Sequence, residues 1–312
     1  MGRNIVINFF LGIVLLSCKE KINLKSRSTI DYEKIDALFA KRTPPVLFDH
    51  LYIVLDSSSY THFLKAKEWM ENYASIDEGL PHFTSVTDSA TTSYIRGHRH
   101  YLELLGPANT YGEPEGKGGI GFCLSNNAQS FNSSIRPELK KENTPYLMSY
   151  ETVAMPLNGE KAVWFKAFYT PGPKTNVHSW YAFYNPAFLK GLYGSDHDTY
   201  TREAFLKTTY APEKLFKEVS SIEITCNHDD YHRIAQEMRH LGCTLLKKEA
   251  NNLTVRSGDI DIKIKLYPEI RQSRIDKLQC TLNHPDESVT TFGNLVITNS
   301  GHQSIWTFKH TF

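Results

Sequence analysis

Two short stretches carry residues that could do chemistry. In LFDHLYIVLD, residues 47–56, His50 rides in an apolar run, and in HYLELLGP, residues 100–107, Glu103 does the same. An imidazole nitrogen with a carboxylate oxygen suits one divalent ion such as Zn, Fe, Mn, Co or Ni, and two ligands alone do not choose among them. Side chains alternate along a strand, so His50, Tyr52 and Val54 share one face and Tyr101, Glu103 and Leu105 share another. If both tyrosine faces line one concavity, His50 and Glu103 point into it together. The competing reading is a histidine hydrogen-bonded to a neighbouring carboxylate, which satisfies both groups without metal.

Other clusters are weaker. RGHRH, residues 96–100, gathers Arg96, His98, Arg99 and His100 at a hairpin; it could receive an anion, but reads more simply as an exposed polar turn. GEPEGKGG, residues 112–119, lacks the Lys-Ser/Thr that ends a phosphate loop and reads as a linker. HDDYH places His228 and His232 four apart, yet its acids are better explained as a helix start. There is no GxSxG elbow. Cys123, Cys226, Cys243 and Cys280 form no CxxC pair and sit in apolar or β-like runs, which predicts reduced, mostly buried thiols and no essential disulfide.

The elements that must position these residues repeat along the chain. LFDHLYIVLD is a strand, Ser57–Ser59 offer helix caps, and residues 60–74 carry a helical apolar stripe. Three strand-like runs follow: HFTSVTDS, TTSYIRG and HYLELLG. The order returns from GIGFCLS at 119, with a weaker helix near 127–140, then YLMSYETVAM, AVWFKAFYT and VHSWYAFYNP. After a polar linker, 193–213, it returns again in SSIEITCN, a helix capped by Asp229 or Asp230 and ended by Gly242, CTLLKKEAN, NLTVRSG and the strictly alternating DIDIKIKL. The last quarter, RIDKLQCTLNH, TFGNLVITN and SIWTFKH, keeps strands but loses its helix. The expectation is an α+β protein of tandem β-α-β-β-β modules forming two curled, cup-like mixed sheets, in halves 47–192 and 214–312.

A β-α-β-β-β unit used in pairs, with FDHLYIVLD on its first strand and YLELLGP on its last, resembles the vicinal oxygen chelate superfamily of glyoxalase, bleomycin-resistance and extradiol dioxygenase proteins. The chain looks most like glyoxalase-like bacterial lipoproteins. The resemblance implies paired modules curled into a cup, with the first and fourth strands of each module adjacent. It also implies a divalent metal at the floor, on histidines from first strands and glutamates from fourth strands. The second module departs from the pattern. GIGFCLS has no histidine, and aligning YLELLGP with YAFYNP puts Ala182, or Phe183 after a one-residue shift, where Glu103 stands. His178 is the one substitute ligand on that strand, beside Trp180 and Tyr184.

Residues 1–18, MGRNIVINFFLGIVLLSC, stand apart. Arg3 precedes an apolar run, Ile5–Leu16, too short to span a bilayer comfortably. LLSC resembles the bacterial lipobox, which implies cleavage after residue 17 and acylation of Cys18. Lys19 in place of an aspartate then implies the outer membrane. Residues 18–46 read as a tether with a short helix over 30–41. Lys+Arg number 35 against 34 Asp+Glu, which argues against a nucleic-acid surface. The expected function is a lipid-anchored module binding a small oxygenated or aromatic ligand between Tyr52, Tyr101, Trp180 and Tyr184. The alternative is a divalent-metal-dependent lyase, isomerase or dioxygenase-like enzyme using His50 and Glu103.

Overall fold

Alternation along each strand sorts the residues into two apolar layers, and that sorting builds the molecule. The computed structural model describes residues 46–124, 149–169, 175–240 and 243–309. Cys18 and the leader, the helices expected over 30–41 and 127–140, and Gly242 lie outside them.

The first half runs β1 (Val46–Val54), α1 (Ser57–Lys65), α2 (Lys67–Tyr73), β2 (Ser75–Asp77), β3 (Thr92–Arg96) and β4 (Tyr101–Leu105). It continues as β5 (Gly118–Leu124), β6 (Ser149–Leu157), β7 (Glu160–Tyr169) and β8 (Val177–Tyr184). Two short helices follow, α3 (Pro186–Tyr193) and α4 (Arg202–Leu206). The second half is β9 (Phe216–Cys226), α5 (His228–His240), β10 (Thr244–Lys248), β11 (Asn252–Ser257), β12 (Ile260–Leu266), β13 (Arg274–Phe292) and β14 (Leu295–Phe308). The fold is α+β, with two open, cup-like mixed sheets ordered β2-β3-β4-β1-β5-β8-β7-β6 and β10-β11-β12-β9-β13-β14. First and fourth strands of the first three modules pair in parallel, β1 with β4, β5 with β8 and β9 with β12. Modules meet through antiparallel first strands, β1 with β5 and β9 with β13.

Several local expectations change. Asp56, not Ser57–Ser59, caps α1, accepting from the Ser59 amide at 2.9 Å. The single helix expected over 60–74 is two, broken at Ala66. HFTSVTDS is a loop rather than a strand; the short β2 ahead of it supplies the edge of the sheet. Asn227, rather than Asp229 or Asp230, caps α5 by accepting from the Asp230 amide. The last quarter forms two long strands, not three, because Gly293, at φ 59°, turns the chain inside TFGNLVITN.

Leu51, Ile53, Leu102, Leu104, Ile120 and Phe122 face a core shared with the second sheet, whose Ile260, Ile262 and Ile264 alternate with polar neighbours. The strand-rich last quarter needs no helix of its own. Phe63 of α1 meets Phe292 edge-on, and Tyr73 of α2 bonds Ser304 at 2.9 Å and accepts from Trp306 Nε1 at 2.8 Å. Helices of the first module thus cover β13 and β14. The segment 193–213 also packs: Tyr200, Phe205 and Leu206 are buried in the second apolar layer. Among the described residues no helix is long and apolar enough to cross a membrane.

Candidate functional site

The opposite face of the first sheet is the floor of a cleft of about 740 Å³. Strand register lays its residues out in two rows. In one, Trp180, Gly121, His50, Tyr101 and Arg96 are neighbours in turn on β8, β5, β1, β4 and β3. In the next, His178, Gly119, Tyr52, Glu103 and Tyr94 follow the same order. His50 and Glu103 therefore share the face that parity required. Their Nε2 and Oε1 atoms lie 3.4 Å apart, with both residues buried.

The two glycines explain how so many rings fit. A Cβ on Gly121 would lie 2.6 Å from Trp180 Cζ2, and one on Gly119 would lie 2.5 Å from Tyr52 Cε1 and 2.7 Å from Trp180 Cζ3. On β5 the absence of side chains at Gly119 and Gly121 is what seats the Trp180 indole. Trp180 meets His50 edge-on at 5.0 Å, and His50 stacks on Tyr101 at 4.2 Å. Ala182 lies in the apolar layer beneath the cleft, whereas Phe183 faces the core shared with the second sheet.

Asp49 is the residue that sequence reasoning missed. Plain alternation puts it with Leu51 and Ile53 against the core. A β-bulge intervenes: Phe48 pairs with Phe122 and His50 with the adjacent Gly121, leaving Asp49 as the extra residue. Its carboxylate accepts from Tyr184 Oη and lies 2.8 Å from His50 Nδ1. The imidazole is thereby oriented, with Nε2 towards Glu103, the way a carboxylate orients a ligating histidine. An acid at an apolar-face position was the available signal. Tyr184 consequently lies behind the cleft wall, as a support for Asp49, while Tyr52, Tyr101 and Trp180 line it.

His178 meets Tyr52 rather than His50, its Nδ1 lying 3.3 Å from the phenol oxygen. Burial, with Lys117 and Arg233 adding to it, pushes its pKa down to about 3, so it stands in the floor as a neutral ring. Among the described residues no group of three His, Cys, Asp or Glu is placed to hold a metal ion.

RGHRH is not an exposed turn. Arg96, 2 % exposed, pairs bidentately with Asp77 at 2.7 Å for both bonds, and its guanidinium lies over Phe83, Tyr94 and Tyr101. Burial alone would weaken that charge, but the Asp77 ion pair outweighs it and raises the arginine's pKa. Arg99 and the fully buried His100 instead reach across to the second half. Arg99 forks onto Glu218, and Asp259 takes Arg99, His100 and Arg202 together. No free guanidinium is left there for an anion. The loop 78–91, within which residues 82–89 read as a strand, supplies much of the mouth, with Leu80, Pro81, Thr87 and Ala90 on its rim. Tyr111, Trp164 and Phe205 complete an aromatic wall. On α5 the His228 and His232 rings are solvent-exposed, 3.2 Å apart at Nε2, and take no part in the cleft.

Glu103 is 6 % exposed, and among the described residues its polar contact is His50 Nε2. Burial raises its pKa, against the lowering effects of His50 and Arg96. Two carboxylates, Asp49 and Glu103, thus face one imidazole, while Arg96 is already matched by Asp77.

Among solved structures, a hypothetical protein from Staphylococcus aureus is similar at 10% identity and a TM-score of 0.39, over 71% of this chain and 86% of that one. A "putative dioxygenase" from Bacillus subtilis subsp. subtilis str. 168 is similar at 12% identity and a TM-score of 0.27, over 76% and 70%. At these scores neither likeness bears on function. No curated protein matches the chain. The model described as "Family of unknown function (DUF5829)" matches residues 48–308, a span that holds the cleft and nearly all of both sheets, and the chain belongs to that family.

Proposed function

We propose that this protein is a lipid-anchored binding module of vicinal oxygen chelate type, whose cleft takes a small oxygenated or aromatic ligand. Support for the type comes from the parallel pairing of first and fourth strands and from FDHLYIVLD and YLELLGP on neighbouring strands. Support for the anchor is the LLSC motif at Cys18 and the KEK that follows it, with the outer membrane as the destination. The observation that carries the binding reading is the cleft itself. It is walled by Tyr52, Tyr94, Tyr101, Trp164, Trp180 and Phe205, with His50, Glu103 and His178 converging at the floor. Ligand sites have this composition and this order of volume.

A second reading is favoured by one distance. Two ligands each about 2.1 Å from a tetrahedral ion lie about 3.4 Å apart, the spacing of His50 Nε2 and Glu103 Oε1. His50 and Glu103 would hold the ion, with Asp49 fixing the imidazole, and the chemistry supplied would be polarisation of vicinal substrate oxygens. Two protein ligands fall short of the three that catalytic sites of this kind use.

Elemental analysis of protein purified without a metal-affinity tag, paired with titration by phenol, separates the readings. The binding reading expects saturable change in Trp164 and Trp180 fluorescence with no stoichiometric metal. That change should be lost when Ala90→Phe narrows the mouth. Stoichiometric zinc, iron, manganese, cobalt or nickel would transfer the site to the second reading, and no saturable response with no metal would remove both.

A further inference from the structure

The Glu103 carboxylate lines the cleft on a residue only 6 % exposed, and among the described residues neither oxygen takes a hydrogen bond from a donor. His50 Nε2 lies 3.4 Å from Oε1, beyond the ordinary length of a hydrogen bond, so the imidazole approaches the carboxylate without closing one. Native proteins rarely leave such a group unmatched, and one that lines a cavity identifies where a ligand's polar end belongs. Among the described residues the basic groups around the floor are committed elsewhere, and His82 stands on the loop at the mouth. Arg96 is forked onto Asp77, and Lys117 pairs with Glu113. His178 is held neutral by burial. His50 is shared between two carboxylates.

The surroundings favour positive charge as well. Glu103 sits between register partners Tyr52 and Tyr94, with Tyr101 two residues away on the same face. Aromatic faces attract cations, more so when water is excluded. This wall already accommodates one, since the Arg96 guanidinium lies 4.8 Å from the Tyr94 ring centre and 5.0 Å from that of Tyr101. Beyond the floor, Tyr111, Trp164, Phe205, Leu80 and Pro156 leave room for an apolar body.

Resting on the binding reading above, we propose that the cleft selects a protonated amine with an apolar or aromatic body, its N–H group donating to Glu103 among the tyrosine rings. A quaternary ammonium would satisfy the rings but leave the carboxylate without a donor. An anion would meet the Glu103 carboxylate and a guanidinium already paired. A neutral alcohol would donate without relieving the charge imbalance of the floor.

Three probes of one size test this: 2-phenylethylammonium, 2-phenylethanol and phenylacetate, each titrated calorimetrically into the full chain in nonionic detergent with EDTA present. A charge-assisted hydrogen bond to a buried carboxylate should favour the ammonium over the alcohol by about tenfold or more. In Glu103→Gln that preference should collapse to within about twofold, a residue of ring contacts alone. The probe ranking on the wild-type chain decides the matter even if the variant fails to fold. Equal or tighter binding of the alcohol or of phenylacetate overturns the amine assignment and leaves the binding reading standing. Failure of all three to bind removes both.

Discussion

Gly121→Ala puts the seating of Trp180 to the test with a single methyl group. The added Cβ would lie 2.6 Å, 2.7 Å and 2.8 Å from Trp180 Cζ2, Cε2 and Nε1. Ordinary carbon contacts are about 3.5–4.0 Å, so the indole must move by about 1 Å. It has little freedom to do so, being 6 % exposed and packed against His50 and Tyr52. Overpacking of this kind costs about 1–3 kcal/mol. The substitution also reduces the freedom of the unfolded chain, which offsets about 0.4–1 kcal/mol. The net expectation is a loss of about 1–2 kcal/mol, read in urea as a midpoint lowered by roughly 0.5 M. Tryptophan emission should shift as the ring leaves His50. Gly119→Ala pushes the same indole, so the double variant should lose less than the sum of the single losses. Stability within about 0.5 kcal/mol of wild type, together with unchanged emission, would refute the account of the glycine-made seat.

Burial holds the Glu103 carboxyl above its ordinary 4.5. The folded protein therefore keeps this proton to higher pH than the unfolded chain. Its contribution to stability is full below the unfolded value and lost as pH rises through the folded one. Glu103→Gln should be more stable than wild type at neutral pH, with the gap closing below about pH 4, as urea melts at several pH values would measure. Asp77→Ala strands the buried Arg96 guanidinium and should cost about 3–5 kcal/mol in the same assay; a neutral outcome would mean that Arg96 finds water. If metal is bound, His50→Ala should release it in elemental analysis and Phe183→Ala should not. If none is bound, His50→Ala should act on stability alone, by roughly 1–3 kcal/mol. Cys18→Ser should abolish fatty-acid labelling and membrane fractionation, and unchanged labelling would remove the anchor.

Alternation is a local property, set by the geometry of one strand, and so it was readable from one segment at a time. His50 and Tyr52 against Leu51 and Ile53, Glu103 against Leu102 and Leu104, and the buried Ile260, Ile262 and Ile264 all lie where parity put them. The repeated strand order likewise carried the two mixed sheets, because each of the first three modules closes its own parallel pair. What no single segment could decide was set by distant partners. Asp49 turns to the His50 side of the sheet, behind the cleft wall, because β5 pairs across a bulge and Tyr184, 135 residues away, donates to it. Arg96 became a wall residue because Asp77 reaches it, where a local reading saw only a charged turn. Residues 82–89 had the look of a strand, but β2 had already taken the edge of the sheet. The missing last helix was replaced by α1 and α2, more than two hundred residues upstream of their partners on β14. Tertiary structure alone could choose these outcomes, because buried polar groups and apolar faces are satisfied by whichever partner the whole fold brings within reach.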